Sequence, residues 1–225
     1  MLLVIAVYLV SPHVTLFMND FAKDILSSYL SANDINILEK TFVNTVYIID
    51  MPGKYPSMIF SVCLLIASLL LIFLISKTKL PPPIVIWVIY LALINLVSSV
   101  VFILMPAMFP YIIENFSELY IKTEVVIWLF IPLLMGIAFS SLPSNIFTKT
   151  AVVVLTIIYS MVLGIIRYVA FLYILAKFSY IFMAFLFFAF GPLMDFIYIV
   201  GLYSLYVSNY ASKIGKDLRI WKWLS

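Results

Sequence analysis

Residues 150–210 read TAVVVLTIIYSMVLGIIRYVAFLYILAKFSYIFMAFLFFAFGPLMDFIYIVGLYSLYVSNY and are apolar over most of their length. Its charged residues are Arg167, Lys177 and Asp195. Because about 20 apolar residues cross a bilayer as a helix, the stretch predicts two membrane spans that are joined near Lys177. A membrane accounts for the apolar residues, whereas the charges need a separate explanation.

The composition of the whole chain agrees with membrane insertion. Of the 225 residues, 66% are hydrophobic and 10% are charged, and the mean hydropathy is +1.21. In soluble domains about a quarter of the residues are charged. We therefore predict an all-α, multi-pass protein of the cell membrane, in which residues 1–225 form one helical bundle surrounded by the lipid bilayer.

Apolar segments interrupted by charges and prolines predict about six spans. Residues 1–18 lack the positive n-region and the cleavage site of a signal peptide, so they are taken as a short first span. The predicted spans are residues 1–18, 56–76, 84–105, 125–142, 150–176 and 180–208.

Two segments between spans are rich in charge. In the segment 19–55, apolar residues recur at helical spacing (Ile35, Leu38, Phe42, Val43 and Val46), which predicts an amphipathic helix lying on the membrane surface. The segment 106–124 is predicted to be a loop. Its acids Glu114, Glu118 and Glu124 are expected to form a solvated outer face, or a rim that attracts cations.

The distribution of charge predicts the orientation. The side with the termini carries seven Lys and Arg and one Asp, and the other side carries five Lys and eight acids. Cytoplasmic loops carry an excess of Lys and Arg, so both termini are predicted to be cytoplasmic.

Arg167 is the first candidate for a functional residue. It lies ten residues before Lys177, which places it about 15 Å below the outer end of its helix. A charge at such depth costs about 2.5–3.5 kcal/mol on insertion scales and is usually paired or functional. Either Arg167 is structural, bonded to carbonyls or a carboxylate or reaching outward, or it marks a site.

Asp195 is the second candidate, and it follows Gly191 and Pro192, which predict a kink. In a hairpin that turns at Lys177, Asp195 and Arg167 would differ in depth by about 12 Å. We therefore expect no direct contact between them. Asp195 is expected to be a neutral, hydrogen-bonded residue, with a proton relay as the alternative.

Several chemistries lack the residues that they require. With His13 as the single histidine and Cys63 as the single cysteine, the chain has neither a zinc spacing nor paired haem ligands. It also has no Walker loop. We expect no cofactor, no metal and no nucleic acid. The basic tail, from Lys213 to Lys222, is expected to contact anionic lipid headgroups.

The last 100 residues resemble the exosortase/archaeosortase family in their order of spans and in the segment Gly164-Ile165-Ile166-Arg167-Tyr168. Members of that family are membrane transpeptidases that use Cys, Arg and His at the outer face. The resemblance implies that Arg167 is the family's arginine. It also implies a cysteine near 123–127, an asparagine at Gly164 and a histidine after Lys177, none of which is present.

These observations leave three functions open. The first is a non-catalytic accessory or scaffold subunit with a protein partner in the membrane, because no nucleophile and base are recognisable. The second is a divergent exosortase-like transpeptidase built around Arg167, with Cys63 or an outer glutamate. The third is a small proton-coupled transporter that uses Asp195 and the broken sixth helix.

Overall fold

In the computed structural model, residues 2–30, 34–106, 109, 111–143 and 145–214 are described. Within them, six helical segments are long and apolar enough to cross a membrane, and together they build a multi-pass helical bundle. The helices are α1 Leu2–Ser27, α2 Met58–Ser76, α3 Pro82–Leu104, α4 Ile113–Ser140, α5 Ile146–Lys177, α6 Met183–Phe190 and α7 Pro192–Ile214. The last two form the sixth span after a 3₁₀ turn, Tyr180–Phe182.

Local sequence signals explain where several helices begin. The Ser57 side chain accepts a hydrogen bond from the Phe60 amide at the start of α2, and Asn145 does the same for Phe147 at the start of α5. Helix α3 begins at Pro82, whose missing N–H costs nothing in the first turn. The predicted starts of these three spans are therefore correct within about four residues.

Helices α1 and α4 extend furthest beyond the predicted spans. Helix α1 continues nine residues beyond Met18 to Ser27, and α4 begins at Ile113 instead of 125. The prediction of an outer loop over 106–124 is thus wrong for residues 113–124. The charged residues in these extensions do not end the helices, because one face of each helix remains buried and largely apolar, with Glu124 as the charged residue on that face of α4.

A β-hairpin stands where the amphipathic surface helix was predicted. Strand β1, Asn36–Thr41, pairs antiparallel with β2, Thr45–Asp50, and Thr41 lies opposite Thr45. The segment Thr45-Val-Tyr-Ile-Ile49 is a run of β-branched and aromatic residues, which favours a strand over a helix. That run outweighs the helical spacing of the apolar residues around it, so the helix prediction was wrong.

The hairpin is inserted into one end of the bundle through a buried polar network. The Asn19 side chain donates to the Tyr47 carbonyl at 2.7 Å and accepts from the Tyr168 hydroxyl at 2.9 Å. The Ile49 amide donates to Ser117 Oγ at 3.0 Å and to Tyr168 Oη at 3.2 Å, and these two hydroxyls also bond to each other. The free edge of β2 is therefore paired with side chains of α1, α4 and α5.

The spans differ in how deeply they are buried. In the most apolar window of α4 and of α5, 39% of residues are buried, against 11% for α2 and 17% for α3. Helices α2 and α3 pack chiefly on each other. Their buried residues include the small residues Ser61, Ser68, Ala92 and Ser99, which allow helix backbones to approach closely in a membrane. The α2–α3 pair thus stands at the side of the bundle.

Candidate functional site: a buried arginine between two carboxylates

Arg167 and Asp195 contact each other directly, which corrects the prediction from the sequence. Arg167 Nη2 lies 2.6 Å from Asp195 Oδ1 and 2.8 Å from Glu124 Oε1. The side chain of Arg167 is 14% exposed, that of Asp195 is 1% exposed and that of Glu124 is 2% exposed. These three residues, here called the arginine cluster, join α4, α5 and α7 inside the bundle.

The predicted offset of about 12 Å failed because the hairpin does not turn at Lys177. Helix α5 ends at Lys177, but residues 178–182 form the turn, and α6 begins only at Met183. The helix then breaks at Gly191, so Asp195 lies in the first turn of a new helix instead of continuing the axis of α6. Both features reduce the difference in depth between Arg167 and Asp195. The long arginine side chain spans the distance that is left.

Arg167 also binds the broken backbone of the sixth span. Its Nη1 donates to the carbonyl oxygens of Phe190 and Gly191, at 3.1 Å each. The last carbonyls of a helix have no partner within that helix, and in a membrane no water is present to satisfy them. The guanidinium therefore serves as the C-terminal cap of α6.

Gly191 is required for this break. A Cβ atom on this residue would lie 2.3 Å from the carbonyl oxygen of Phe187, which is a backbone atom that cannot move aside easily. The sequence Gly191-Pro192 did predict a kink at this point. What it did not reveal is that the kink brings Asp195 to the arginine.

Glu124 is the cluster residue that sequence reasoning missed. It was assigned to the solvated outer face, yet the whole residue is 1% exposed. Space for its carboxylate exists because residue 164 is glycine: a Cβ there would lie 2.8 Å from Glu124 Oε2. A signal was present in the sequence, since Tyr120 and Trp128 lie four residues on either side of Glu124, at helical spacing, and the structure buries this face.

Asp195 is held from a second side by Tyr198. The Tyr198 hydroxyl bonds to Asp195 Oδ1 and lies 2.6 Å from the Ser160 hydroxyl on α5. The other carboxylate oxygen, Oδ2, is buried and makes no hydrogen bond with the described part of the chain. The aspartate is thus fixed through one oxygen, and the second is free to carry a proton.

The cluster contains more negative than positive groups. With both carboxylates ionised, one guanidinium and two carboxylates carry a formal charge of −1. Burying an unbalanced charge away from water is costly, so one shared proton would make the group neutral. The arrangement can therefore act either as a structural lock or as a site that binds one proton.

The other acids of the predicted outer face lie at the end of α4 nearest the hairpin. Lys40 Nζ on β1 is 2.7 Å from Glu114 Oε1 and 4.0 Å from Glu118 Oε2, and Lys122 Nζ bonds to the same Glu118 carboxylate. The hydrogen bond with Glu114, and the attraction of its charge, raise the pKa of Lys40. These acids are partly exposed, as predicted, but they are paired with lysines.

The remaining predicted residues lie apart from the cluster. Cys63 is exposed on α2, and His13 lies on α1. The side chains of the basic tail, from Lys213 onward, lie outside the described residues. Among the residues that the structure describes, no group of three or more His, Cys, Asp or Glu is arranged to hold a metal ion.

The fold and the cluster define a multi-pass helical membrane protein with a buried arginine shared by two carboxylates. No family model matches the sequence, and neither a curated protein nor a solved structure shows significant similarity to it. The exosortase-like relationship therefore stays a prediction.

Proposed function

We propose that this protein is a non-catalytic accessory or scaffold subunit of a membrane complex. The observation that carries the proposal is the engagement of Arg167, whose two terminal nitrogens are bonded to four acceptors of the protein itself. An arginine that recognised a substrate would keep terminal donors free for it. Here these nitrogens hold the bundle together.

The strength of the cluster fits a structural role. Removing one partner of a buried ion pair typically costs about 3–5 kcal/mol, because the remaining charge is left buried. That cost is comparable to the total stability of many small proteins, which is about 5–15 kcal/mol. The cluster would thus fix α4, α5 and the broken sixth span as one rigid unit.

The partner surface is proposed to lie on α2. This helix buries only Ser61 and Ser68 among its described residues and packs chiefly on α3. Its outward face is therefore available inside the membrane to a transmembrane helix of a second protein. In this arrangement α3 packs on the rigid unit through α6, and α2 packs on α3 with its other face toward the partner.

Co-purification in mild detergent from native membranes tests the proposal. Cys63 is the only cysteine and is exposed on α2, so a benzophenone maleimide attached to it reports contacts of that helix alone. We expect a partner that co-purifies in stoichiometric amount, and one discrete protein adduct that contains it.

The matched control moves the probe to another lipid-facing helix. In the variant Cys63→Ser with Leu155→Cys, the label stands on α5 at a residue that is 61% exposed. We expect lipid adducts and little protein adduct from it. If neither position yields a protein adduct and no partner co-purifies, the accessory-subunit proposal is wrong.

A proton-coupled transporter is the second candidate, and the excess of carboxylates over guanidinium at a helix break favours it. Discontinuous helices with polar groups at the break form substrate sites in many carriers. The test measures proton flux into vesicles that contain the protein. Asp195→Asn should abolish the pH-dependent flux. Retained flux in that variant would remove this candidate.

The exosortase-like enzyme has less support. Within the stretch 123–127, where the resemblance implies a cysteine, Glu124 points at Arg167, and Gly164 makes room for it. The alternative nucleophiles are Cys63, which is on the outward-facing α2, and Glu114 and Glu118, which are paired with lysines. Normal assembly of Arg167→Ala together with lost processing of a substrate protein would favour the enzyme over the scaffold.

A further inference from the structure

A groove opens on the side of the bundle between α3, α4 and α6, and the arginine cluster does not line it. Its volume is about 680 Å³, which lies within the range of small-molecule sites. Its walls are apolar and include Val97, Phe102, Ala184 and Phe187. Polar side chains from the first turns of α4, among them Asn115, Glu118 and Lys122, form one rim.

The position of the groove matches one leaflet of a bilayer. The lining residues of the sixth span, which lie within 180–188, extend over about 12 Å, less than half of a hydrocarbon core about 30 Å thick. The lining residues of α3 lie close to the end of that helix at Leu104, and those of α6 lie near its start. All of them belong to the end of the bundle that carries the hairpin, so the polar rim faces the headgroup region.

A transmembrane helix does not fit this shape. Such a helix crosses the full 30 Å or so, and at a diameter of about 10 Å each turn takes roughly 400 Å³. The groove would thus hold less than two turns of it. A lipid acyl chain, in contrast, ends at the middle of the bilayer and needs a slot of one leaflet's depth.

The charges at the rim indicate which headgroup fits. The charged residues that line the groove are Glu118 and Lys122, which bond to each other and whose charges sum to zero. A zwitterionic headgroup matches this set, because its phosphate can accept from the unused N–H groups of Lys122 and its ammonium can donate to Glu118. A purely anionic headgroup bound to Lys122 would compete with Glu118 for that lysine and would offer the carboxylate no cation in return.

We propose that this groove is a binding site for one zwitterionic phospholipid, with an acyl chain between α3, α4 and α6 and the headgroup at Lys122 and Glu118. The site is separate from the arginine cluster and from the outward face of α2. It does not depend on the proposed accessory function.

The test uses the full chain, reconstituted in vesicles of equal parts phosphatidylethanolamine and phosphatidylglycerol and then extracted in mild detergent. Native mass spectrometry is expected to show one retained phosphatidylethanolamine per chain. A diazirine on its acyl chain should label peptides that contain Val97, Phe102 or Phe187. Retention of phosphatidylglycerol in equal amount would overturn the headgroup assignment, and labelling spread over all lipid-facing helices would overturn the site.

Filling the groove supplies the matched variants. Ala184→Trp should reduce the retained lipid about tenfold, because the indole would occupy the space proposed for the acyl chain. Val97→Trp, at a residue that is 59% exposed and therefore tolerant, should act in the same direction if Ala184→Trp does not fold. Val200→Trp, equally exposed on α7, should leave lipid retention unchanged. Unchanged retention in Val97→Trp, or a dimer of this chain cross-linked through the groove, would refute the proposal.

Discussion

Replacing Arg167 by Met should destabilise the bundle by about 3–5 kcal/mol, because it leaves Glu124 and Asp195 buried side by side without a cation. The guanidinium makes two bonds to carboxylates, at 2.6 and 2.8 Å, and two to carbonyls, at 3.1 Å. At about 1.5–3 kcal/mol each, these bonds would sum to roughly 6–12 kcal/mol. The expected loss is smaller because burying the guanidinium itself is costly and because one carboxylate can take up a proton.

The assay is unfolding of the purified protein by sodium dodecyl sulfate in mixed micelles, followed by circular dichroism. Lys177→Met removes a charge from the exposed end of the same helix and should change the free energy of unfolding by less than about 0.5 kcal/mol. It therefore separates a general effect of charge from the effect of the cluster.

A compensated variant shows whether the loss comes from unpaired charge. Arg167→Met combined with Glu124→Gln and Asp195→Asn contains no charge in the cluster and should recover at least half of the lost stability. Replacement of buried ion groups by neutral ones of similar size is often neutral or stabilising. A loss below about 1 kcal/mol in Arg167→Met, or no recovery in the triple variant, would show that the arginine cluster does not stabilise the bundle through its charges.

Three further predictions concern the helix break at Gly191, the buried network around Tyr168, and the ion pair between Lys40 and Glu114. Gly191→Ala places a Cβ 2.3 Å from the Phe187 carbonyl oxygen and should cost about 1–3 kcal/mol in the same unfolding assay. An unchanged free energy of unfolding would show that the backbone at the break adjusts without cost. Tyr168→Phe deprives the hairpin of its shared hydroxyl and should cost about 1–3 kcal/mol and speed proteolysis between β1 and β2, an expectation that unchanged proteolysis would contradict. Because pairing raises the pKa of Lys40, its contribution is fully present below the unfolded pKa of about 10.4 and is lost as pH rises through the folded value. In the native chain, proteolysis of the hairpin should therefore become faster at alkaline pH, and in Lys40→Met this increase should disappear. The same pH profile in both proteins would count against the pair with Glu114.

The sequence predicted the membrane bundle well because the spans depend on length and hydropathy, which are local. The spans beginning near 58, 82 and 146 lie close to the predicted positions for this reason. Within the site, Arg167 and Asp195 were both recognised, since a charge inside an apolar helix is conspicuous in any single sequence.

What failed was everything that depends on contacts between distant segments. Glu124 looked like a loop residue because other acids precede it, and only the buried face of α4 distinguishes it from Glu114 and Glu118. The pairing of Arg167 with Asp195 depends on the backbone path through 178–191, which spacing along an ideal helix cannot represent. The hairpin depends on partners as distant in sequence as Tyr168.

The break at Gly191 also bears on how the chain enters the membrane during synthesis. Helix α6 has eight residues and is about 12 Å long, too short to cross the bilayer by itself. Glu124 is made 43 residues before Arg167, and Asp195 follows the arginine by 28. When α5 leaves the insertion machinery, the arginine can therefore form a neutral pair with an acid already in the membrane. Asp195 then arrives last, and its docking onto that pair can complete the sixth span.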